Sequence, residues 1–176
     1  MNRVEKPSRR HGESVVAYLG LGSNLGDSRR QVEQAIAEID RLPATEVLRV
    51  SRLYGSRAWG KTDQPDFTNA VVEVQTRLAP RELLMLVKEI EKQHGRERGE
   101  RWGPRPLDID ILVYGIDSIS EPELQVPHPR MWDRAFVLRP LADIHPETVG
   151  PDGRTVLERL QDDEIADQEI WLLALS

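Results

Sequence analysis

The chain has 176 residues, 24 of them Lys or Arg against 30 Asp or Glu, a net charge of −6 at pH 7 and no cysteine. That length suits one domain with a core of its own. The missing cysteines exclude disulfides and thiolate metal sites, and the acidity argues against sequence-independent nucleic-acid binding. No apolar run is long enough to span a membrane. The opening MNRVEKPSRRHGES is charged and lacks an apolar stretch, so residues 1–13 read as a solvated tail, not a secretory signal, and 14–176 as the domain. A cysteine-free chain fits a reducing cytoplasm.

VVAYLGL, at 15–21, is a short apolar run bounded by a turn, which predicts a buried strand. GSNLGD follows as that turn, and Ser28 with Gln31 has the spacing of a capping box opening a helix. Val32, Ala35, Ile36, Ile39 and Leu42 give the helix its apolar stripe, and Pro43 ends it. TEVLRVSRLYGS, at 45–56, alternates as one strand; RAWGKTDQPD is a long loop; FTNAVVEVQT, at 67–76, is the next strand. Pro80 sits where a first helical turn tolerates it, Leu83, Val87 and Ile90 share one side, and Gly95 is the stop. The basic loop GRERGERWGPRP leads into LDIDILVYG, a strand with Leu107, Ile109, Ile111 and Val113 on one face and Asp108 and Asp110 on the other. A short helix around 131–139 and another near 155–161 complete the chain. The order βαββαβ predicts an α+β, ferredoxin-like fold: an antiparallel sheet with helices on one face, an open opposite face that can carry a site, and C-terminal additions.

Asp108 and Asp110 point the same way along their strand, roughly 7 Å apart at Cα. Two ionised carboxylates so placed repel unless a positive charge sits between them. Taken alone, D-x-D favours a solvated acidic face over a metal site, because alternation by itself puts polar residues at i and i+2. The neighbours change the balance. Arg96, Arg98, Arg101 and Arg105 precede the pair and Arg134 follows. Guanidinium forks match phosphate oxygens, and Mg²⁺ is commonly held by one or two carboxylates plus substrate phosphates. A basic loop running into D-x-D is what metal-assisted phosphoryl transfer needs.

GLGSNLGD is not a nucleotide loop, because Leu25 stands where a dinucleotide fingerprint needs glycine; Asn24 and Asp27 read as turn formers. Phe67 and Asn69 share a strand face. An aromatic ring can stack on a heterocycle and an amide can read its edge, although core packing and turn chemistry explain the two equally well. Trp59, Trp102 and Phe136 are further aromatic candidates. His128, held between two prolines in VPHPR, can hydrogen-bond a phosphate.

Four blocks in order, GSNLGD, DQPDFTNA, GRERGERWGPRPLDIDIL and VPHPRMWDRAFVLRPLADI, resemble the 6-hydroxymethyl-7,8-dihydropterin pyrophosphokinases of folate biosynthesis, from Val15 to about Gly153. The resemblance implies a ferredoxin-like enzyme that uses ATP and two Mg²⁺ ions, transfers pyrophosphate to the pterin hydroxymethyl group and releases AMP. By motif, it implies that Asp108 and Asp110 ligate both metals and that Arg96 and Arg98 close over the triphosphate. Arg105, His128 and Arg134 match phosphate contacts, while Ile111, Leu124 and Gln125 fall near the adenine. Phe67 and Phe136 match the pair that sandwiches the pterin, Asn69 the side chain reading its edge, Trp102 a closing tryptophan, and Ser56 and Trp59 the pterin loop. Phe67 replaces a tyrosine found in some members, and the arginine loop is one residue shorter than in others. A monomer is expected, with ATP and the pterin as partners and neither nucleic acid nor membrane.

Two rivals remain at the level of sequence. A nucleotidyltransferase would attack the α-phosphorus and release pyrophosphate, but its Gly-Ser turn and D-x-D lie close together, whereas Gly22-Ser23 here is far from Asp108. A ligand-sensing module of the same fold would leave the arginine run unexplained.

Overall fold

The computed structural model describes residues 12–58, 64–95 and 106–174. Its first strand, β1 (Val15–Ser23), sends Ala17, Leu19 and Leu21 to one face, all buried, and Tyr18, Gly20 and Gly22 to the other. Helix α1 (Ser28–Asp40) follows, with Val32, Ala35 and Ile39 buried. Its cap is Asp27, whose carboxylate accepts from Arg30 N at 3.2 Å. Ser28, expected as the cap, is already helical; its hydroxyl bonds Thr68 Oγ1 at 2.8 Å, and Gln31 turns to His94 Nδ1. Both Asp and Ser cap well, and the one with a distant partner gave up the local role.

The stretch expected as one strand is two, β2 (Thr45–Val50) and β3 (Tyr54–Ser56). Ser51 causes the break. Its N–H donates to Val71 O and its hydroxyl accepts from Val71 N, both at 2.9 Å, so a side chain replaces a ladder partner. Arg52 N then turns away to Asp143 Oδ2 at 3.1 Å. Strand β4 (Phe67–Thr76) and helix α2 (Pro80–Gln93) have the expected bounds, and Gly95 has φ +92°, the left-handed conformation of a helix stop.

Strand β5 (Asp108–Tyr114) pairs with β1, and with a last strand β8 (Ile170–Leu172) the six-stranded sheet runs β5-β1-β4-β3-β8, with β2 on β4 as well. Every pairing in it is antiparallel. β5 carries a bulge: Tyr18 pairs with Val113 but Leu19 with Ile111, leaving Leu112 extra. Leu112 and Val113 therefore face the same way, and Val113 packs in the opposite cluster from Ile109 and Ile111, contrary to simple alternation.

Helices α1 and α2 bury one sheet face around Leu19, Val32, Val72, Leu83, Val87 and Ile109. The other face, expected to be open, has its own cover. Helix α3 (Ala135–Ile144) packs Leu138 and Leu141 against Tyr18, Val71 and Leu112, so helices lie on both faces. A hairpin of β6 (Ile119–Ser120) and β7 (Gln125–Val126) and a single 3₁₀ turn (Met131–Asp133) lead into α3. After it come α4 (Val156–Arg159), capped by Thr155, then α5 (Asp163–Ala166) and β8 (Ile170–Leu172), which extends the sheet beside β3. No helix among the described residues is long and apolar enough to cross a membrane.

Candidate active site

At the Gly22 end of β1 the register sets side chains in rows. Asp108 pairs with Gly22, Gly22 with Asn69, and Asn69 with Tyr54. In the next row Asp110 pairs with Gly20, and Gly20 with Val71. At Gly22 the central strand thus presents bare backbone between an acidic strand and an amide-bearing one, and a ligand can lie directly on it, whereas at Gly20 the Leu112 side chain lies over the strand. A Cβ added to Gly22 would lie 3.4 Å from Asn69 Oδ1 and 3.8 Å from Phe67 Cδ1.

Asn69 is buried and fixed. Its Nδ2 donates to Ser56 Oγ at 2.7 Å and to Tyr54 O at 3.3 Å, which aims Oδ1 toward Gly22. Ser56 also lines a cavity of about 380 Å³ with Ala58, Ala135 and Phe136. Phe67 stands half-buried at the start of β4, one register row from Asn69.

The acidic side has basic neighbours. His128 N donates to Leu112 O at 2.8 Å, and its Nδ1 accepts from Arg130 N at 3.2 Å, which leaves Nε2 as the donor nitrogen. Burial pulls the His128 pKa below its usual value; the Asp110 carboxylate opposes that, and Arg134 and Arg130 reinforce it. Burial likewise depresses Arg134, against the pull of Asp110 and Asp108. Arg134 also lies over the Phe136 ring, 5.4 Å from Cζ to the centroid, so one guanidinium sits on the aromatic wall while feeling the charge of the two carboxylates.

Asp108 is half-buried and Asp110 exposed. Among the described residues, no group of three or more His, Cys, Asp or Glu could hold a metal alone. Two hard oxygen donors on one strand face are the set that Mg²⁺ takes when phosphates supply the remaining ligands. The residues present fit that ion.

Buried residues that sequence reasoning passed over hold these parts together. Ser23 donates to Pro106 O, and Asn24 Nδ2 donates to Gln64 Oε1 and Pro65 O, both at 3.2 Å. Asn24 therefore ties the turn after β1 to the loop before β4, where turn chemistry alone had been expected. Glu91, 1% exposed, accepts from Ile109 N at 3.1 Å, directly between the two aspartates. Its signal was legible: Leu83, Val87, Ile90 and Glu91 follow helical spacing, with an acid in a core position.

Of the remaining candidates, Ile111 and Leu124 have their side chains in the core beneath α1 and α2, and Gln125 is exposed on β7. Arg96, Arg98, Arg105, Trp59 and Trp102 lie outside the described residues.

A family model described as 7,8-dihydro-6-hydroxymethylpterin-pyrophosphokinase (HPPK) matches residues 18–146. A Pseudomonas aeruginosa protein named 2-amino-4-hydroxy-6-hydroxymethyldihydropteridine pyrophosphokinase is 48% identical over 143 residues, 81% of this chain and 88% of its own. A Bacillus subtilis protein of the same name is 46% identical over 129 residues, 73% of this chain and 77% of its own. The solved HPPK-DHPS structure from Plasmodium falciparum superposes with a TM-score of 0.66 at 16% identity, over 84% of this chain. This chain spans only 45% of that one, and the likeness is one of fold.

Proposed function

Because the chain belongs to the 7,8-dihydro-6-hydroxymethylpterin-pyrophosphokinase family, and so transfers pyrophosphate from ATP to hydroxymethyldihydropterin in folate biosynthesis, we propose that the Asp108–Gly22–Asn69 row is where the substrates meet. That row carries the reading: carboxylates suited to metal and phosphate on one strand, an amide suited to a heterocycle on another, bare backbone between. The fold reading follows the same logic. With β2 and β3 counted as one broken strand, the order β5-β1-β4-β2/β3 supports reading the sheet as ferredoxin-like, with β8 and the cover on its second face as C-terminal additions.

The reaction is attack by the pterin hydroxymethyl oxygen on the β-phosphorus of ATP, with AMP leaving. Asp108 and Asp110 would hold two Mg²⁺ ions. Bound there, magnesium neutralises phosphate charge and polarises phosphate oxygens. His128, through Nε2, and Arg134 hydrogen-bond phosphate oxygens, and Arg105 joins them. Arg96 and Arg98 close over the triphosphate and exclude water, which limits ATP hydrolysis. Phe67 and Phe136 stack on the pterin, Asn69 Oδ1 accepts from its edge, and Trp59 and Trp102 close the pterin side. Gln125 meets the adenine by its side chain, and Ile111 and Leu124, whose side chains are in core, do so by their backbone. The reading assigns no general base; rate comes from positioning and charge stabilisation. It takes 14–176 as one domain behind a tail at 1–13, acting as a cytoplasmic monomer, where ATP is at hand.

The test is product analysis with ATP, Mg²⁺ and the hydroxymethyl pterin. AMP released only when pterin is present is the expected result. Pyrophosphate release with AMP retained on the acceptor would overturn the reading in favour of nucleotidyl transfer.

A further inference from the structure

We infer that Gln168, from the C-terminal segment beyond the family match, is a positioning residue for Arg134 and, through the guanidinium that lies over its ring, for Phe136. The inference rests on the reading above that these two side chains meet substrate. Arg134 is the N-cap of α3, and its side chain makes no capping hydrogen bond. The first helical N–H, at Ala135, is satisfied from outside: it donates to Gln168 Oε1 at 2.9 Å. The same Gln168 amide donates from Nε2 to Asp133 O at 2.8 Å. The Gln168 amide therefore grips the chain on both sides of Arg134, at the carbonyl before it and the amide after it.

The grip is itself held. Gln168 Nε2 also donates to Glu164 O at 3.0 Å, and Gln168 N donates to Ile165 O at 3.1 Å; Ile165 is buried in the second core cluster. Arg159 adds a tie one step upstream, donating from Nε to Trp132 O at 3.0 Å. Three residues flanking Arg134, namely Trp132, Asp133 and Ala135, are thus bound by side chains from the C-terminal segment. Gln168 and its neighbours Asp167 and Glu169 also line the cavity that holds Phe136, Ser56 and Ala58. A φ of −121° and ψ of 110° at Arg134 set the direction in which its guanidinium crosses the Phe136 ring. Without Gln168, the peptide groups flanking Arg134 lose that anchor, and the first turn of α3 loses its only side-chain cap among the described contacts.

A residue acting through Arg134 has a signature that a merely stabilising one lacks: its effect disappears when Arg134 is absent. Gln168→Ala, Arg134→Ala and the double variant are assayed for pterin-dependent AMP formation, with circular dichroism to confirm folding. We expect Gln168→Ala to lower kcat/KM about tenfold, with kcat and the KM for ATP both affected, and to cost nothing further in the Arg134→Ala background. Gln168→Glu keeps the acceptor for Ala135 N and loses the donor to Asp133 O, so it should fall between; it also serves if the alanine variant does not fold. Additive losses, or wild-type kinetics for the Gln168 variants beside an impaired Arg134→Ala, would overturn the inference alone. Wild-type kinetics for Arg134→Ala would remove its premise, and with it the assignment of Arg134 to substrate.

Discussion

Asp108 and Asn69 are paired to the same residue, Gly22, from opposite sides, so the two chemistries of the site are one strand spacing each from a strand that carries no side chain there. Gly22 has ordinary extended backbone, and an added Cβ would make normal van der Waals contacts. Valine at that position suits a strand and fills the floor. Gly22→Val should therefore fold, with a melting temperature near wild type, and lose about a hundredfold or more in kcat/KM for both substrates. Steady-state kinetics on a variant shown to be folded checks this; near-normal turnover would mean the ligand does not lie over β1.

Removing charge from the acidic pair separates chemistry from stability. Asp108→Asn and Asp110→Asn keep shape but weaken the proposed hard cation site. Each should lower turnover by about 10²-fold or more, the scale of losing one transition-state electrostatic partner. Asp110 is exposed, so Asp110→Asn should leave the thermal melt within a few degrees. Titration of Mg²⁺ into the ATP-bound protein, followed by calorimetry, should show weakened metal uptake in both.

Asn69 has two partners for its Nδ2, Ser56 Oγ and Tyr54 O. Asn69→Ala should raise the pterin KM by about tenfold or more, because on the proposed assignment the heterocycle edge loses its acceptor. The KM for ATP should change far less. Ser56→Ala tests the aim of Asn69 without removing it, and a smaller shift in the same direction is expected.

Tyr18 gives the fold an alkaline limit. Burial, with a hydrogen bond to Glu73 at 2.8 Å, pushes its hydroxyl up to about 12 from an ordinary 10.0. The folded protein keeps a proton there that the unfolded chain releases. The contribution is whole below pH 10 and is lost as pH rises toward 12, on the order of 2 kcal/mol in all. Denaturant unfolding from pH 9 to 12 should show the decline, and Tyr18→Phe should flatten it at the cost of a lower plateau, since Glu73 loses a donor.

The elements that sequence revealed were those whose cause is local. β1, β4 and α2 follow from apolar runs, alternation and Pro80, and D-x-D announced itself through charge. What escaped depended on distant partners. Ser51 breaks β2 from β3 only because Val71 offers both its N–H and its C=O. The bulge that turns Val113 over exists only against β1. β8 is three residues long, too short for alternation to register, and is defined by its pairing with β3. Asn24 looked like a turn former because its partners, Gln64 and Pro65, are far away in sequence. Asn69 and Phe67 were legible as a pair on one face, but not the fixing of the Asn69 amide by Ser56.

β5 ends the sheet, and an end strand rich in isoleucine and leucine invites pairing with a foreign chain. Part of its outer rim is already taken: Glu91 receives Ile109 N, His128 N closes on Leu112 O, and the extra residue at Leu112 bends the strand. The two aspartates add mutual repulsion to any stacked copy. Their replacement by aliphatic residues would thus threaten solubility as well as turnover, so the same short segment that is read as a place for substrate also keeps one molecule from templating the next.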